Sequence, residues 1–176
     1  TAVEELGEWE LAEKPRPNEI DEWTHYLHDC RGTSVSNDLI AGEPKGLRWT
    51  CGPLWARSHE HTASMNAMVA AGGRIFYVMD EGPTASIQLP PENFLTARDA
   101  FNGVELWKMP LENWFNHLYP LKSGPGWLPR RLVAVEDRVY IAPGVGQELL
   151  CLDAATGDVV RRYKDTATTF ELVVSD

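Results

Sequence analysis

The residues most suited to chemistry lie in a polar stretch that contains the tripeptide His59-Glu60-His61. Side chains two residues apart share one face of an extended segment, so His59 and His61 could bind one Zn²⁺ or Cu²⁺ ion. Cys51, His25 and His28 are the candidates for a third ligand, and the spacing does not choose among them. The alternative is a structural or solvent-exposed histidine pair, because His-x-His alone does not define a metal site.

A second group of polar residues, His25, His28 and Asp29, allows two interpretations. A histidine beside a carboxylate can transfer protons, so the three residues could form an acid/base cluster. Their position next to Trp23 and Tyr26 favours a packing role, with imidazoles hydrogen-bonded to the backbone. We therefore predict packing for this cluster.

The adjacent carboxylates Asp80 and Glu81 also have the residue types of an acid/base pair. Such chemistry needs two carboxylates with separated pKa values. Neighbouring residues of a strand point in opposite directions, so the pattern favours a solvated turn. The sequence contains no Cys-x-x-Cys and no Gly-x-Ser-x-Gly, and Gly144-Val145-Gly146 lacks the third glycine of a dinucleotide loop.

Charge and composition limit the partners. The chain has 176 residues and a formal net charge of −10. Residues 1–22 hold 8 acidic and 2 basic side chains, so the rest of the chain is only mildly acidic. Nucleic-acid binding needs a basic face, which argues against a nucleic acid as partner. No apolar run is long enough to span a bilayer, and three cysteines allow at most one internal disulfide.

The elements that must position these residues are indicated by an internal repeat. Residues 95–107 and 150–160 each read as a strand, a turn and a second strand. In both, an Asp-Ala pair beginning at Asp99 or Asp153 opens the turn, and a Gly closes it four residues after the Asp. The Asp side chain can accept hydrogen bonds from nearby backbone N–H groups, and Gly takes the φ > 0 position. The pattern predicts two β-hairpins.

An aromatic-rich strand precedes each hairpin, at residues 73–78 and 137–141. Strand and hairpin together resemble the repeat of the quinoprotein-type β-propeller family, which includes the pyrroloquinoline quinone (PQQ) dehydrogenases. The family repeat reads roughly Gly-x-Val-Tyr-Val, then Leu-x-Ala-Leu-Asp-Ala-x-Thr-Gly-x-x-x-Trp. Trp107 holds the position of the docking tryptophan, and Arg161 replaces it in the second repeat.

The resemblance implies an all-β fold, a partial β-propeller of four-stranded antiparallel blades. It covers residues 21–176, which we expect to supply the first two or so blades, beginning near Trp23. Residues 1–20 are acidic, contain prolines and are expected to form a linker or arm. Residues 47–49 and 169–174 are predicted to be further strands. Because a propeller needs about four to eight blades, we expect the remaining blades in the same or another chain.

Two loops are predicted to carry contact residues: residues 51–65 and an aromatic insertion, residues 109–129. Loops on a rigid scaffold often carry function, and aromatic side chains are enriched at interfaces. The candidate partner-binding residues of the insertion are Trp114, His117, Tyr119 and Trp127. The alternative for the insertion is a lid or packing between blades.

The leading functional prediction is a binding or scaffold module for a protein partner or a neighbouring domain. The alternative implied by the resemblance is an oxidoreductase of the PQQ-dependent dehydrogenase type, with PQQ and calcium, or with a transition metal at His59 and His61. In that family a disulfide between adjacent cysteines clamps the cofactor, but no Cys-Cys dipeptide occurs here, and no acidic residue can be matched to the calcium ligands. The resemblance also implies a periplasmic or otherwise exported protein.

Overall fold

The computed structural model describes residues 3–6, 9–12, 15–57, 63–115 and 126–175. Within these ranges the chain forms ten β-strands and one turn of 3-10 helix, Leu128–Arg131. The strands are β1 (Val3–Leu6), β2 (Trp9–Ala12), β3 (Met65–Ala71), β4 (Arg74–Asp80), β5 (Asn93–Asp99), β6 (Glu105–Leu111), β7 (Leu132–Val135), β8 (Arg138–Ile141), β9 (Leu149–Asp153) and β10 (Val159–Tyr163). In the described part of the chain, no helix has the length and apolar character needed to cross a membrane.

The strands from β3 onward form two sheets. Strands β3–β6 make up sheet 1 and strands β7–β10 make up sheet 2, and in each the spatial order follows the chain. All neighbouring pairs are antiparallel. β1 and β2 pair separately, within the stretch predicted as an arm. The predicted all-β fold class with four-stranded antiparallel blades is confirmed.

The outer hairpin of each sheet closes through the predicted turn chemistry. The Oδ1 atom of Asp99 accepts hydrogen bonds from the backbone N–H groups two and three residues later, at 2.8 and 2.9 Å. Asp153 makes the same two bonds at 2.9 and 3.1 Å. Gly103 and Gly157 close the turns with φ of +76° and +78°, a conformation that a Cβ disfavours.

The hydrophobic core lies between the two sheets. Alternate residues of a strand share one face, and the cross-strand register places Phe76 beside Ala97, and Ala97 beside Trp107. Sheet 1 contributes Val69, Phe76, Val78, Leu95 and Ala97 to one buried cluster, and sheet 2 contributes Leu132, Ala134, Val139, Ile141, Leu150 and Leu152. Removal of these side chains from water is the main force that holds the sheets together.

Trp107 connects the two sheets away from the centre of the core. Its indole lies against Gly157, where a Cβ would stand 2.7 Å from the ring. The indole Nε1 donates a hydrogen bond to the carbonyl of Ala154 at 3.0 Å. This is the contact expected of a docking tryptophan. Arg161, its counterpart on β10, is exposed and lies over the ring of Tyr163.

The up-and-down order of the strands sends their connections to two opposite edges. The short turns lie at one edge, here called the turn edge: residues 72–73, 100–104, 136–137 and 154–158. The longer connections lie at the other, here called the loop edge, whose described residues are 51–57, 63–64, 81–92, 112–115, 126–131 and 142–148. Both loops predicted to carry contact residues therefore reach the loop edge.

Two segments predicted to be strands are unpaired in the described part of the chain. Residues 47–49 and 169–174 lie within the described ranges but form no strand. The backbone N–H groups of Thr169, Leu172 and Val174 donate singly, to the Thr166 carbonyl at 3.1 Å, the Arg130 carbonyl at 2.9 Å and His25 Nε2 at 3.1 Å, and these bonds do not form a ladder. An extended segment becomes a strand only when a neighbour pairs with its backbone along a ladder, and neither segment has such a neighbour here.

Candidate functional site

Hydrogen bonds join the segments of the loop edge in two neighbouring pairs. The N–H of Asp80 donates to the carbonyl of Ser64 at 2.8 Å, which ties β4 to the segment that enters β3. In the same way, the N–H of Val145 donates to the carbonyl of Asn113 at 2.9 Å. The segment before β3 is thus fixed to the end of β4, and the connection after β6 is fixed to the one after β8.

Arg57 is the strongest anchor at this edge. Its side chain is 1% exposed, and Nη1 forms an ion pair with Oδ2 of Asp80 at 2.7 Å. The same guanidinium donates to the carbonyl of Pro83 at 3.1 Å and to that of Leu89. The planar group, with five N–H donors, thereby joins the end of β4, the loop after it and the segment before β3. A single arginine in the sequence does not indicate that its side chain is buried or which groups it bonds.

The carboxylates predicted to form a solvated turn are arranged differently. Asp80 is buried, and its Oδ1 accepts bonds from the N–H groups of Gly82 and Glu92 at 2.9 and 3.0 Å. Glu81 instead pairs with Lys108 at 2.5 Å, at the surface. The prediction of a solvated turn is wrong for Asp80, because Arg57 provides a charged partner that allows its burial. The two carboxylates serve separate ion pairs, not one acid/base site.

Two apolar side chains stand exposed immediately before this anchor. Leu54 is 81% exposed and Trp55 is 74% exposed, although both precede the buried Arg57 by no more than three residues. Burying a tryptophan would be favourable, so its exposure needs a reason. Leu54 and Trp55 lie in the predicted contact loop, but the sequence alone gave no ground for choosing them over their neighbours.

The candidate metal ligands His59 and His61 lie outside the described residues, so the metal site stays a prediction. Among the residues that the structure does describe, no group of three His, Cys, Asp or Glu side chains is arranged to hold a metal ion. Cys51, one of the proposed third ligands, is an exposed free thiol. Cys30 is also exposed and free, and Cys151 is a buried free thiol.

His25, another proposed ligand, belongs to a short segment, residues 23–25, that crosses from one sheet to the next. Trp23 exchanges backbone hydrogen bonds with Ala70 of β3, at 3.1 and 2.8 Å. The carbonyl of Thr24 accepts a bond from the N–H of Ala134 in β7 at 3.0 Å. Consecutive residues of the crossing segment thus bond to the first strands of consecutive sheets.

His25 continues this pattern to the end of the chain. Its Nε2 accepts a hydrogen bond from the backbone N–H of Val174 at 3.1 Å. Burial lowers the pKa of His25 despite the raising effect of Asp29, so the ring is neutral and can accept this bond. With Nε2 as acceptor, Nδ1 carries the proton and donates to Oγ1 of Thr24 at 2.7 Å. The packing interpretation of His25 is confirmed.

His28 is also a packing residue, but its partner is a carboxylate. It is 1% exposed, and its Nε2 lies 2.7 Å from Oδ2 of Asp21. Burial raises the pKa of Asp21, but bonds from the Asn37 and Glu22 N–H groups, from His28 and from the Ser36 hydroxyl outweigh it, so this pKa is well below its usual value. The ionised Asp21 therefore holds His28 in place as part of the fold.

Trp114 and Trp127, two of the four aromatic insertion residues named as partner contacts, lie on either side of Arg131. The Arg131 guanidinium lies 4.4 Å from the Trp114 ring centre and 5.3 Å from that of Trp127. Trp114 is fully buried, and its Nε1 donates to Oδ1 of Asn66 at 2.7 Å. Trp127 is partly buried and packs edge-on against Phe170. Trp114 therefore packs inside the protein, as the alternative prediction for the insertion has it.

Arg131 itself is a buried cation. It is 2% exposed and donates to the carbonyls of Trp114, at 2.8 Å, and Ala142. Burial lowers the pKa of Arg131 to about 10, so it stays charged at neutral pH. The aromatic faces stabilise that charge. His117 and Tyr119 lie outside the described residues, so partner contact by the insertion stays a prediction.

Comparisons with known proteins add little to this geometry. No family model matches the sequence, and no curated protein matches it either. Among solved structures, a europium-containing methanol dehydrogenase is similar over 82% of this chain, with 12% sequence identity and a TM-score of 0.49. The chain spans 23% of the length of that dehydrogenase. The assignment of the fold therefore rests on the strands and contacts described above.

Proposed function

We propose that this chain is a propeller segment that acts as a binding scaffold, with the loop edge as its contact surface. The partner is a protein or a neighbouring domain, and further blades complete the propeller. The observation that carries the proposal is the exposure of Leu54 and Trp55 next to the buried Arg57 anchor. The exported location implied by the sequence resemblance belongs to the same proposal.

The physical argument concerns the cost of ordering. A contact loop that is disordered before binding loses conformational freedom when a partner docks, which weakens the complex. The Arg57 side chain, two residues after Trp55, is held by an ion pair and carbonyl contacts before any partner arrives. Tryptophan is also the residue type most often found to carry binding energy at interfaces. An exposed tryptophan beside a rigid anchor is thus well suited to recognition.

The loop edge offers a second feature beside this loop. An open groove of about 880 Å³ is bordered by Pro90, Phe94, Leu111, Trp114, Phe115 and Val145 among others. Its lining is mostly apolar, and the Glu92 and Glu112 side chains add negative charge at its border. A partner that contacts the loop edge would therefore need an apolar surface, preferably with basic residues around it.

Photo-cross-linking tests the proposal. We expect Trp55→p-benzoylphenylalanine to give a covalent adduct with one defined polypeptide in cells that make the protein. The control is Val104→p-benzoylphenylalanine, an exposed position (57%) at the turn edge, which should give none. Peptide mapping identifies the partner, and a purified sample of it should then bind the wild type at least about tenfold more tightly than Trp55→Ala. Absence of an adduct at position 55, or equal adducts at both positions, would overturn the proposal.

A further inference from the structure

Trp49 makes the same contact with sheet 1 that Trp107 makes with sheet 2. The Trp49 indole lies on Gly103, where a Cβ would stand 2.6 Å from the ring, and its Nε1 donates to the Ala100 carbonyl at 3.0 Å. The corresponding values for Trp107 on its own turn are 2.7 and 3.0 Å. The two contacts share the ring atoms, the donor and the turn position, so they are one repeated arrangement.

The repeated contact fixes where the segment around Trp49 belongs. Trp107 lies on β6, which is the outermost strand of sheet 1, and docks on the turn between β9 and β10 of the following sheet. By the same geometry, residues 47–51 occupy the place of an outermost strand in a sheet that stands before sheet 1. Among the described strands, only β1 and β2 lie outside sheets 1 and 2, and they pair with each other and with no further strand.

The backbone of this segment is free to pair. β6 is bonded to β5 along its length, from Glu105 to Leu111. In contrast, no backbone–backbone hydrogen bond joins residues 42–56 to another described residue. At an unpaired strand edge, the backbone N–H and C=O groups bond to water. A neighbouring strand could form hydrogen bonds with the same groups. Leu47 is 89% exposed within the same stretch.

The face of sheet 1 that would meet this added sheet is partly uncovered. Met68 in β3 and Leu132 in β7 hold equivalent positions. Each lies three residues before the last residue of its strand, which pairs with the next strand across the first turn of the sheet. Leu132 is fully buried against sheet 1, whereas Met68, which faces away from sheet 2, is 53% exposed. A neighbouring sheet on that side would cover Met68, whose cross-strand neighbours Tyr77 and Thr96 are already buried.

We propose that residues 47–51 are the outermost strand of a further blade, whose three inner strands come from polypeptide outside residues 1–176. That partner is a three-stranded antiparallel sheet with a free outer edge to pair with the segment and an apolar face to cover Met68. This inference rests on the propeller role proposed above and not on the loop-edge partner. Failure of the Trp55 experiment would therefore leave it standing, and its own test has a separate readout.

Hydrogen–deuterium exchange tests the proposal in the protein as isolated from the cells that make it and in residues 1–176 alone. In the native protein we expect amides 47–51 to exchange on the order of a hundredfold more slowly than in residues 1–176 alone. Thr33 and Val35, two exposed residues whose N–H groups donate to no other described residue, should exchange fast in both samples. Fast exchange of 47–51 in both would overturn the proposal. Slow exchange of 47–51 in residues 1–176 alone would also overturn the proposal if it depended on protein concentration. It would show that the segment pairs with a second copy of this chain.

A substitution pair separates pairing from general stability. Met68→Lys should leave residues 1–176 folded alone, because the side chain is half exposed, and should remove the added protection of 47–51 in the native protein. The matched control Val104→Lys changes an equally exposed residue at the turn edge and should leave the protection unchanged. Retained protection in Met68→Lys would contradict the proposed apolar cover.

Discussion

Arg57→Ala is expected to lower the free energy of unfolding by about 3–5 kcal/mol, because it leaves the buried carboxylate of Asp80 without its charged partner. The carbonyls of Pro83 and Leu89 lose a donor at the same time. Urea unfolding of both proteins measures the difference. A loss below about 1 kcal/mol would mean that the anchor is not formed as described.

Lys108→Ala is the matched control for this experiment. Lys108 pairs with Glu81 at the same edge but near the surface, so its removal should cost about 1 kcal/mol or less. The double variant Arg57→Ala with Asp80→Ala should recover part of the loss, because no unpaired charge stays buried. Additive losses in the double variant would show that the two side chains do not act as a pair.

Trp107→Ala is expected to cost about 3 kcal/mol, the lower end of the range for truncating a packed tryptophan, because its ring is partly exposed. Trp107→Phe should cost about 1 kcal/mol, since it keeps much of the ring area but removes the donor to Ala154. Arg161→Ala at the corresponding position should change stability by about 0.5 kcal/mol or less, as expected for an exposed side chain. Equal effects of Trp107→Ala and Arg161→Ala would show that the two repeats are wrongly aligned.

The strands of both sheets were predictable because their signals are local. The Asp-Ala turn closed by Gly needs only neighbouring residues, as the bonds from Asp99 to the N–H groups of its own turn illustrate. The docking position of Trp107 followed from the resemblance to the quinoprotein-type repeat, in which a tryptophan holds that position. In the first case the contact lies within the few residues of the pattern, and in the second it joins one repeat to the turn of the next.

The anchors could not be predicted because their partners are distant in the sequence. Arg57 meets Asp80 and the carbonyls of the loop after it, and Arg131 lies between Trp114 and Trp127. A single arginine looks the same in sequence whether it is solvated or buried. Only the fold brings the carboxylate, the carbonyls or the aromatic rings around it.

The segments predicted as strands but found unpaired fail for a related reason. Residues 47–49 have a strand-like sequence, and Trp49 docks as an outer strand would. Pairing, however, needs a neighbour, and that neighbour is not among the described residues. Extended propensity is a property of the segment itself, whereas a strand is a property of the segment together with its partner.

Measurement of bound metal and quinone in the native protein tests most directly whether the chain is a scaffold or part of an oxidoreductase. The scaffold account predicts neither a transition metal nor PQQ in stoichiometric amount, by elemental mass spectrometry and by analysis of the extracted small molecules. The samples are wild type, His59→Ala and His61→Ala, purified without an affinity tag. About one equivalent of metal in the wild type, lost in both variants, or about one equivalent of PQQ, would contradict the account and establish the redox alternative.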